Sequence, residues 1–453
     1  MGDVPLFNAI KVTIVWSTSF FSALIASLPP HPILYPEFNC RSKSSFVYRI
    51  GPNELSILDP DAIPAIHSSG SKCIKSAWYD VIAGPNPSLQ TTRDRATHNR
   101  RRKLWEQAFS IKGFATVFDL ALLADVSIAL REYEYRISEL VNELVAQLES
   151  LKSQPVNASL WFNFYSFDVM GDLAFGQSFD MMKNQEQHFA LKLLQAGMAP
   201  LGILTPIPWI LVILRKIPGA VNGLKMFTKY IENQAEIRQK NVPTRPDITS
   251  WLLKEEKGSK KATERQRRWL YGDTGLMIVA GSDTASAVIT HVFYHLAKDP
   301  KLVTKLREEL KTSLPNDSKF LCAIINETLR LHPPVPSGVL RQTPSAGLMI
   351  KNTFIPSGVT ISTPTWSLSR LESAFPKANE FLPERWTSAP ELLKNKAAFI
   401  PFSSVVSRII LHFDVSFGVG ETGERLLKDT KDVFTLEVAP LYLNFVKRRE
   451  VVT

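Results

Sequence analysis

The first feature of the hydrophobic pattern is an unbroken run. From Val12 to Leu28 (VTIVWSTSFFSALIASL) no charged residue occurs, and extending the run back to Leu6 gives 23 residues, with Asn8 and Lys11 as its polar exceptions. At about 1.5 Å per residue a helix of that length is roughly 35 Å long, enough to cross a hydrocarbon core of about 30 Å. Pro29, Pro30 and Pro32 end it. The pattern predicts an N-terminal membrane anchor over 1–30 and one further domain over 31–453. A cleaved signal peptide is a rival, but it wants a positive start and a small-residue cleavage site, whereas Asp3 opens this segment and prolines close it. A buried segment is the other alternative. The flanking charges are too few to fix an orientation.

Beyond the anchor the pattern becomes periodic. Residues 46–66 (SFVYRIGPNELSILDPDAIPA) predict two short strands around a Gly51-Pro52-Asn53 turn, then a proline-started helix. Apolar residues recur at helical spacing from Glu132 to Leu151. Gly275–Ala297 predicts a long apolar helix with a soft centre, Pro300 opens another to about Leu314, and Phe320–Leu331 is a helix stopped by Pro333 and Pro334. Short strands and turns follow. The expected fold is mainly α with a minor β part.

Composition narrows this only a little. Of 453 residues 45% are apolar and 21% charged, an ordinary globular balance without repeats or low-complexity tracts. The net charge of +10 favours an anionic membrane surface, an acidic protein partner or nucleic acid, though no nucleic-acid partner is expected here. The densest basic stretch, Lys254–Arg268, is interrupted by Glu255, Glu256 and Glu264 and reads as a solvated loop. Only Cys40, Cys73 and Cys322 occur, which gives neither a disulfide framework nor zinc spacing and fits a reducing, cytosol-facing compartment. Gly418–Gly423 matches GxGxxG, but too few residues follow for a dinucleotide fold. His291 and His295 are four apart with Val292, not glutamate, after the first, so they read as a packed helix face and no metal site is expected.

Three motifs carry chemistry. Ala280-Gly281-Ser282-Asp283-Thr284 puts small residues, an acid and a hydroxyl mid-helix, where a glycine costs about 1 kcal/mol against alanine. A gap at Gly281 would let a flat ligand approach, and Thr284 can bond back to the carbonyl four residues earlier or hold a water. An acid beside that hydroxyl can relay protons. A core helix with an ordinary kink is the alternative. Glu327-Thr328-Leu329-Arg330 places an ion pair on an apolar helix, where burial demands further hydrogen bonds. Phe381-Leu382-Pro383-Glu384-Arg385-Trp386 supplies a second arginine.

In this order, and followed by Phe399-Ile400-Pro401-Phe402, these motifs resemble those of the cytochrome P450 family, and the likeness extends from about residue 46 to the end. RIGPNELSI, HNRRRKLWEQAFS and LRLHPPVPSGVLRQTP are similar to microsomal fungal members, many of which serve secondary metabolism. The resemblance implies a haem cofactor and a monooxygenase acting on an apolar small molecule. It implies electrons from NADPH through a membrane-bound reductase, and an endoplasmic reticulum membrane location with the catalytic domain facing the cytosol. It makes Asp283 and Thr284 the acid–alcohol pair, Glu327, Arg330 and Arg385 a buried ion network, and His98, Arg102 and Arg341 contacts to the haem propionates.

The chain departs from the family in two places. Phe402-Ser403-Ser404 passes straight to Val405-Val406-Ser407-Arg408, so about 20 residues carrying the ligand cysteine and most of the next helix are missing, and no remaining cysteine replaces the ligand by position. Residues 113–128 (GFATVFDLALLADVSI) intervene where the family pattern is continuous. An insertion together with a deletion is what mis-joined exons produce. A degenerate paralogue, a membrane-anchored pseudoenzyme without haem-thiolate chemistry, is the other reading.

Overall fold

The computed structural model describes residues 46–109, 120–152, 154–204, 209–241, 245, 247–253, 263–312, 318–399 and 413–448. The expected anchor over 1–30, residues 113–119 of the insertion, and the junction after Ser404 lie outside the described residues.

Strands β1 (Val47–Gly51) and β2 (Glu54–Ile57) form the expected hairpin, antiparallel with Val47 opposite Ile57. Arg49 Nη2 donates to the Pro52 carbonyl at 2.6 Å and pins the turn. Asp59 then caps the turn Pro60–Ala62, which leads into a short helix, Ile63–His67. Three further strands, β3 (Ile74–Lys75), β5 (Arg341–Gln342) and β8 (Thr360–Ser362), complete a five-stranded sheet in the order β1-β2-β8-β5-β3. Only the β2–β8 pairing in it is parallel. A second sheet joins β4 (Val156–Asn157), β12 (Tyr442–Lys447) and β9 (Phe413–Phe417).

The longer helices carry the core. They are α1 (Arg95–Phe109), α2 (Leu120–Ser150), α3 (Ala158–Phe175), α4 (Phe189–Leu204), α5 (Asn222–Lys240), α6 (Glu264–Lys298), α7 (Pro300–Thr312) and α8 (Lys319–Leu331). Helix α6 begins eleven residues before the apolar run that predicts it. Thr263 and Gln266 form a reciprocal capping box, which stabilises a polar first turn that hydrophobicity does not reveal. Residues 120–128 of the inserted stretch are the start of α2, continuous with the helix expected after them. Their Leu- and Ala-rich sequence favours helix and extends it backward.

Helix α3 is apolar on nearly every side and buried, so no periodic stripe marks it. It packs along α6, with the Phe162 and Phe293 rings 4.9 Å apart and Phe445 of β12 at 6.1 Å from Phe293. Among the described residues α6 is the one helix long and apolar enough to cross a membrane, yet most of that stretch is buried inside the protein. It is the central helix of the fold.

Candidate active site

The soft centre of α6 is built against α3. Ser166 Oγ on α3 donates to the Ser282 carbonyl at 2.7 Å, and Thr284 Oγ1 donates to the Ala280 carbonyl at 2.6 Å, the back-bond its position predicts. Gly281 does not leave the gap expected from the sequence. A Cβ there would come within 2.5 Å of Met170 Sδ, so the glycine admits the Met170 thioether from α3 and brings the two helices together.

Asp283 is half-buried in the same turn. Burial pushes its carboxyl up to about 7, against a hydrogen bond from the Asn163 side chain and helped by the charge of Glu437. The group lines a cavity of about 200 Å³ with Asn157, Ser159, Gln187, Gln195 and Glu437. An acid that titrates near neutrality, next to a hydroxyl, can accept and release a proton under ordinary conditions.

The predicted ion network is present and fully buried. Arg330 grips Glu327 with two parallel bonds, Nε to Oε2 at 2.9 Å and Nη2 to Oε1 at 2.8 Å. Arg385 Nε donates to Glu327 Oε1 at 3.0 Å, the Leu382 amide donates to the same oxygen at 2.9 Å, and Trp386 Nε1 donates to Oε2 at 2.9 Å. The remaining guanidinium protons meet backbone carbonyls: Ser369, Ala378 and Glu380 from Arg330, and Pro376, Lys377 and Leu392 from Arg385. Phe375 lies against both arginines, 5.2 and 6.0 Å from ring centroid to guanidinium. A buried ion cluster is tolerated only when every lone pair and proton is so occupied.

The residues expected at the propionates are divided. His98 on α1 is half-buried, and burial, then the charge of Lys75, then Arg102 and Arg341 hold it below its usual range, against its bond with Asn99. Arg102 points outward and pairs with Glu106 at 2.8 Å, both side chains more than half exposed. Its neighbour Arg101 turns inward instead, pairs with the buried Asp273 of α6 and lies 5.1 Å from the Trp269 ring centroid. Arg341 stands on β5 directly opposite Lys75 of β3. Lys75 escaped sequence reasoning because only strand register places it there.

Sequence reading also undervalued the histidines. His291 and His295 pack as a helix face, as expected, but they meet His332 beyond α8. The His291 and His332 rings stack at 4.3 Å, and His295 Nε2 and His332 Nε2 share a hydrogen bond of 2.9 Å. His291 Nδ1 donates to the Ala287 carbonyl at 2.7 Å. His291 and His332 line a cavity of about 340 Å³ with Leu331, Pro336, Trp366 and Leu426.

A mainly helical fold around one long helix with an acid–hydroxyl centre, backed by a buried Glu–Arg–Arg cluster, is the scaffold of a haem monooxygenase. The chain belongs to the cytochrome P450 family, whose model, Cytochrome P450, matches residues 55–404. It is 39% identical over 429 residues to cytochrome P450 monooxygenase FCK2 of Fusarium pseudograminearum, covering 89% of this chain and 75% of that protein. It is 34% identical over 432 residues to tryprostatin B 6-hydroxylase of Aspergillus fumigatus, covering 89% and 74%. These relatives make it, by family, a haem-dependent monooxygenase of fungal type.

The family implies haem, and the described residues fit one part of it. The Lys75–Arg341 pair, with His98 beside it, is an uncompensated positive cluster suited to a carboxylate-bearing rim. Among the described residues no cysteine is placed as the iron's thiolate ligand. Cys322 is exposed on α8, and Cys73 lies near Ser71 and Arg341 with its thiol pushed up by burial, the opposite of an ionised ligand. Residues 400–412 contain no cysteine.

Proposed function

We propose that this protein's lineage oxidises an apolar small molecule in fungal secondary metabolism. It does so at the endoplasmic reticulum membrane, with the catalytic domain in the cytosol and electrons from NADPH through a membrane-bound reductase. The observation that carries the reading is the centre of α6, where Asp283, raised to about 7, adjoins Thr284 Oγ1 bonded to the Ala280 carbonyl. Asp283 holds a proton near neutrality and Thr284 can pass one on when its back-bond is exchanged. Tryprostatin B 6-hydroxylase, a hydroxylase by name, supports the reaction type.

The missing thiolate favours a second reading for this 453-residue chain itself, a membrane-anchored pseudoenzyme. One experiment separates the two. The chain and a version with a family-type cysteine loop restored after Ser404 are expressed in microsomes with a fungal reductase and offered a panel of apolar metabolites. The restored version should add one oxygen atom to a member of the panel, and Thr284→Ala in it should divert NADPH to peroxide or water with little change in substrate binding. A restored version that binds haem but consumes no NADPH with any compound would overturn the monooxygenase reading. Oxygenated product from the unrestored chain would overturn the pseudoenzyme one.

A further inference from the structure

The cavity of about 340 Å³ that His291 lines is separate from the one that Asp283 lines, and His291 stands about two turns beyond Thr284 on α6. Leu331, Pro333, Pro336 and Leu426 form much of its wall, and the exposed Trp366 forms its rim. The Trp366 ring is held there by Arg370, whose guanidinium lies 4.0 Å from the ring centroid.

His291 is buried, and its Nδ1 is spent on the Ala287 carbonyl of its own helix. A carbonyl only accepts, so Nδ1 carries the proton and Nε2, the ring nitrogen further from the backbone, is left as an acceptor. Burial keeps the ring neutral, its value brought down to about 4. Among the described residues no group donates to that nitrogen. His332 does not, because its ring stacks on His291 at 4.3 Å and its Nε2 is shared with His295. Hydroxyls at the wall are spent as well: Thr430 Oγ1 donates to the Leu426 carbonyl at 2.6 Å, and Ser337 Oγ donates to Asp432. A buried acceptor without a donor is costly to leave unmatched, and this one borders open space.

We propose that this cavity binds a small aromatic molecule carrying one hydroxyl or N–H group, which donates to His291 Nε2 while its ring lies among the prolines, leucines and Trp366. The site uses neither Asp283 nor Thr284 nor a haem, so it stands or falls apart from the monooxygenase reading. Its selectivity lies in the donor, since a ligand of the same shape without one leaves Nε2 unmatched.

The test uses the full, detergent-solubilised chain, titrated by calorimetry with phenol and with toluene, which has the same shape but no donor, against a blank of detergent alone. The unaltered chain should bind phenol at least about tenfold more tightly than toluene, and His291→Phe should bind the two within about threefold of each other. Trp366→Ala should weaken both ligands by about threefold or more and leave their ratio unchanged, which locates the site at this rim. Equal binding of phenol and toluene by the unaltered chain would overturn the proposal, as would a preference for phenol that survives in His291→Phe, or no binding of either compound. Should His291→Phe not fold, the phenol-to-toluene ratio in the unaltered chain and the loss in Trp366→Ala decide together: an unchanged affinity in Trp366→Ala places the ligand elsewhere and sinks the site.

Discussion

Arg330→Ala is the perturbation whose consequence is best defined by the structure. The arginine is fully buried and makes five hydrogen bonds, two to Glu327 and three to the carbonyls of Ser369, Ala378 and Glu380. Sequence alone suggests that removing it strands Glu327. The structure shows otherwise, because Glu327 keeps Arg385, the Leu382 amide and the Trp386 indole. The larger loss falls on the three carbonyls, each left unsatisfied at about 1–3 kcal/mol unless water enters the space vacated. The three together come to about 3–9 kcal/mol before water enters, and breaking a buried pair typically costs about 3–5 kcal/mol, so the loss should be at least about 3 kcal/mol, a large share of a typical stability of about 5–15 kcal/mol. Denaturant unfolding followed by circular dichroism, together with soluble yield, measures it. Arg102→Ala is the internal control, since its exposed pair with Glu106 is worth about 1 kcal/mol or less. Arg330→Lys should lose nearly as much as alanine, because one ammonium cannot span the five acceptor contacts of a planar fork. An Arg330→Ala midpoint no lower than that of Arg102→Ala would refute the reasoning and put the network's worth elsewhere.

Three further outcomes follow from the same structure. His291 is depressed to about 4 by burial, and His295 and His332 lie well below their usual value through burial, one another and the nearby cations Lys298, Arg330 and Arg370. The unfolded chain therefore binds protons first as pH falls, so stability should be full above about 6.5 and decline toward about 4, and melting curves of His291→Phe should show a shallower decline over that window. Asp283 has the opposite sign: its raised value means stability is greatest below the unfolded value near 3.8 and is lost as pH rises through about 7, so Asp283→Asn should raise the melting midpoint at pH about 8 but not at pH about 4. Reduced and exposed to carbon monoxide, the purified chain should not show the absorption band characteristic of a thiolate-ligated haem, and such a band at stoichiometric haem would force Cys322 or Cys73 back into consideration as a ligand.

Much of this was legible in the sequence wherever local chemistry sets structure. The Gly51–Asn53 hairpin, the α8 helix stopped by its prolines and the back-bond of Thr284 follow from turn residues, proline and spacing, and the structure has them all. The Glu327–Arg330–Arg385 cluster was readable because an ion pair inside an apolar helix leaves few tolerable arrangements. What sequence could not supply was set by partners distant in the chain. Gly281 reads as an opening until Met170 is seen to fill it. Lys75 gains meaning only from a register that places Arg341, 266 positions later, opposite it. His291 and His295 read as a plain packed face, which they are, but the third ring of the stack comes from His332 on a different element. Arg101 and Arg102 are adjacent and alike in sequence, yet helix geometry sends one into Asp273 and the other to solvent.

The position of the break matters to how much of the molecule it can damage. Every group in the ion network lies between Glu327 and Leu392, before Ser404, so that cluster closes without any later residue. On the far side, β9 and β12 still pair from Phe413 to Lys447 and seat Phe445 against Phe293 of α6. On the near side Phe381 stacks on His295 of α6 at 3.7 Å, so segments on both sides of the junction reach the same central helix. Between them, the cavity of about 340 Å³ beneath His291 is bounded by Leu331 and Pro336 from one side and by Leu426 and Leu436 from the other. A fold arranged in this way can lose its chemistry while keeping its scaffold. Sequencing the spliced message across Ser404 therefore bears on function more directly than any stability measurement: a cysteine-bearing loop in the transcript supports the monooxygenase reading, and its absence supports the pseudoenzyme.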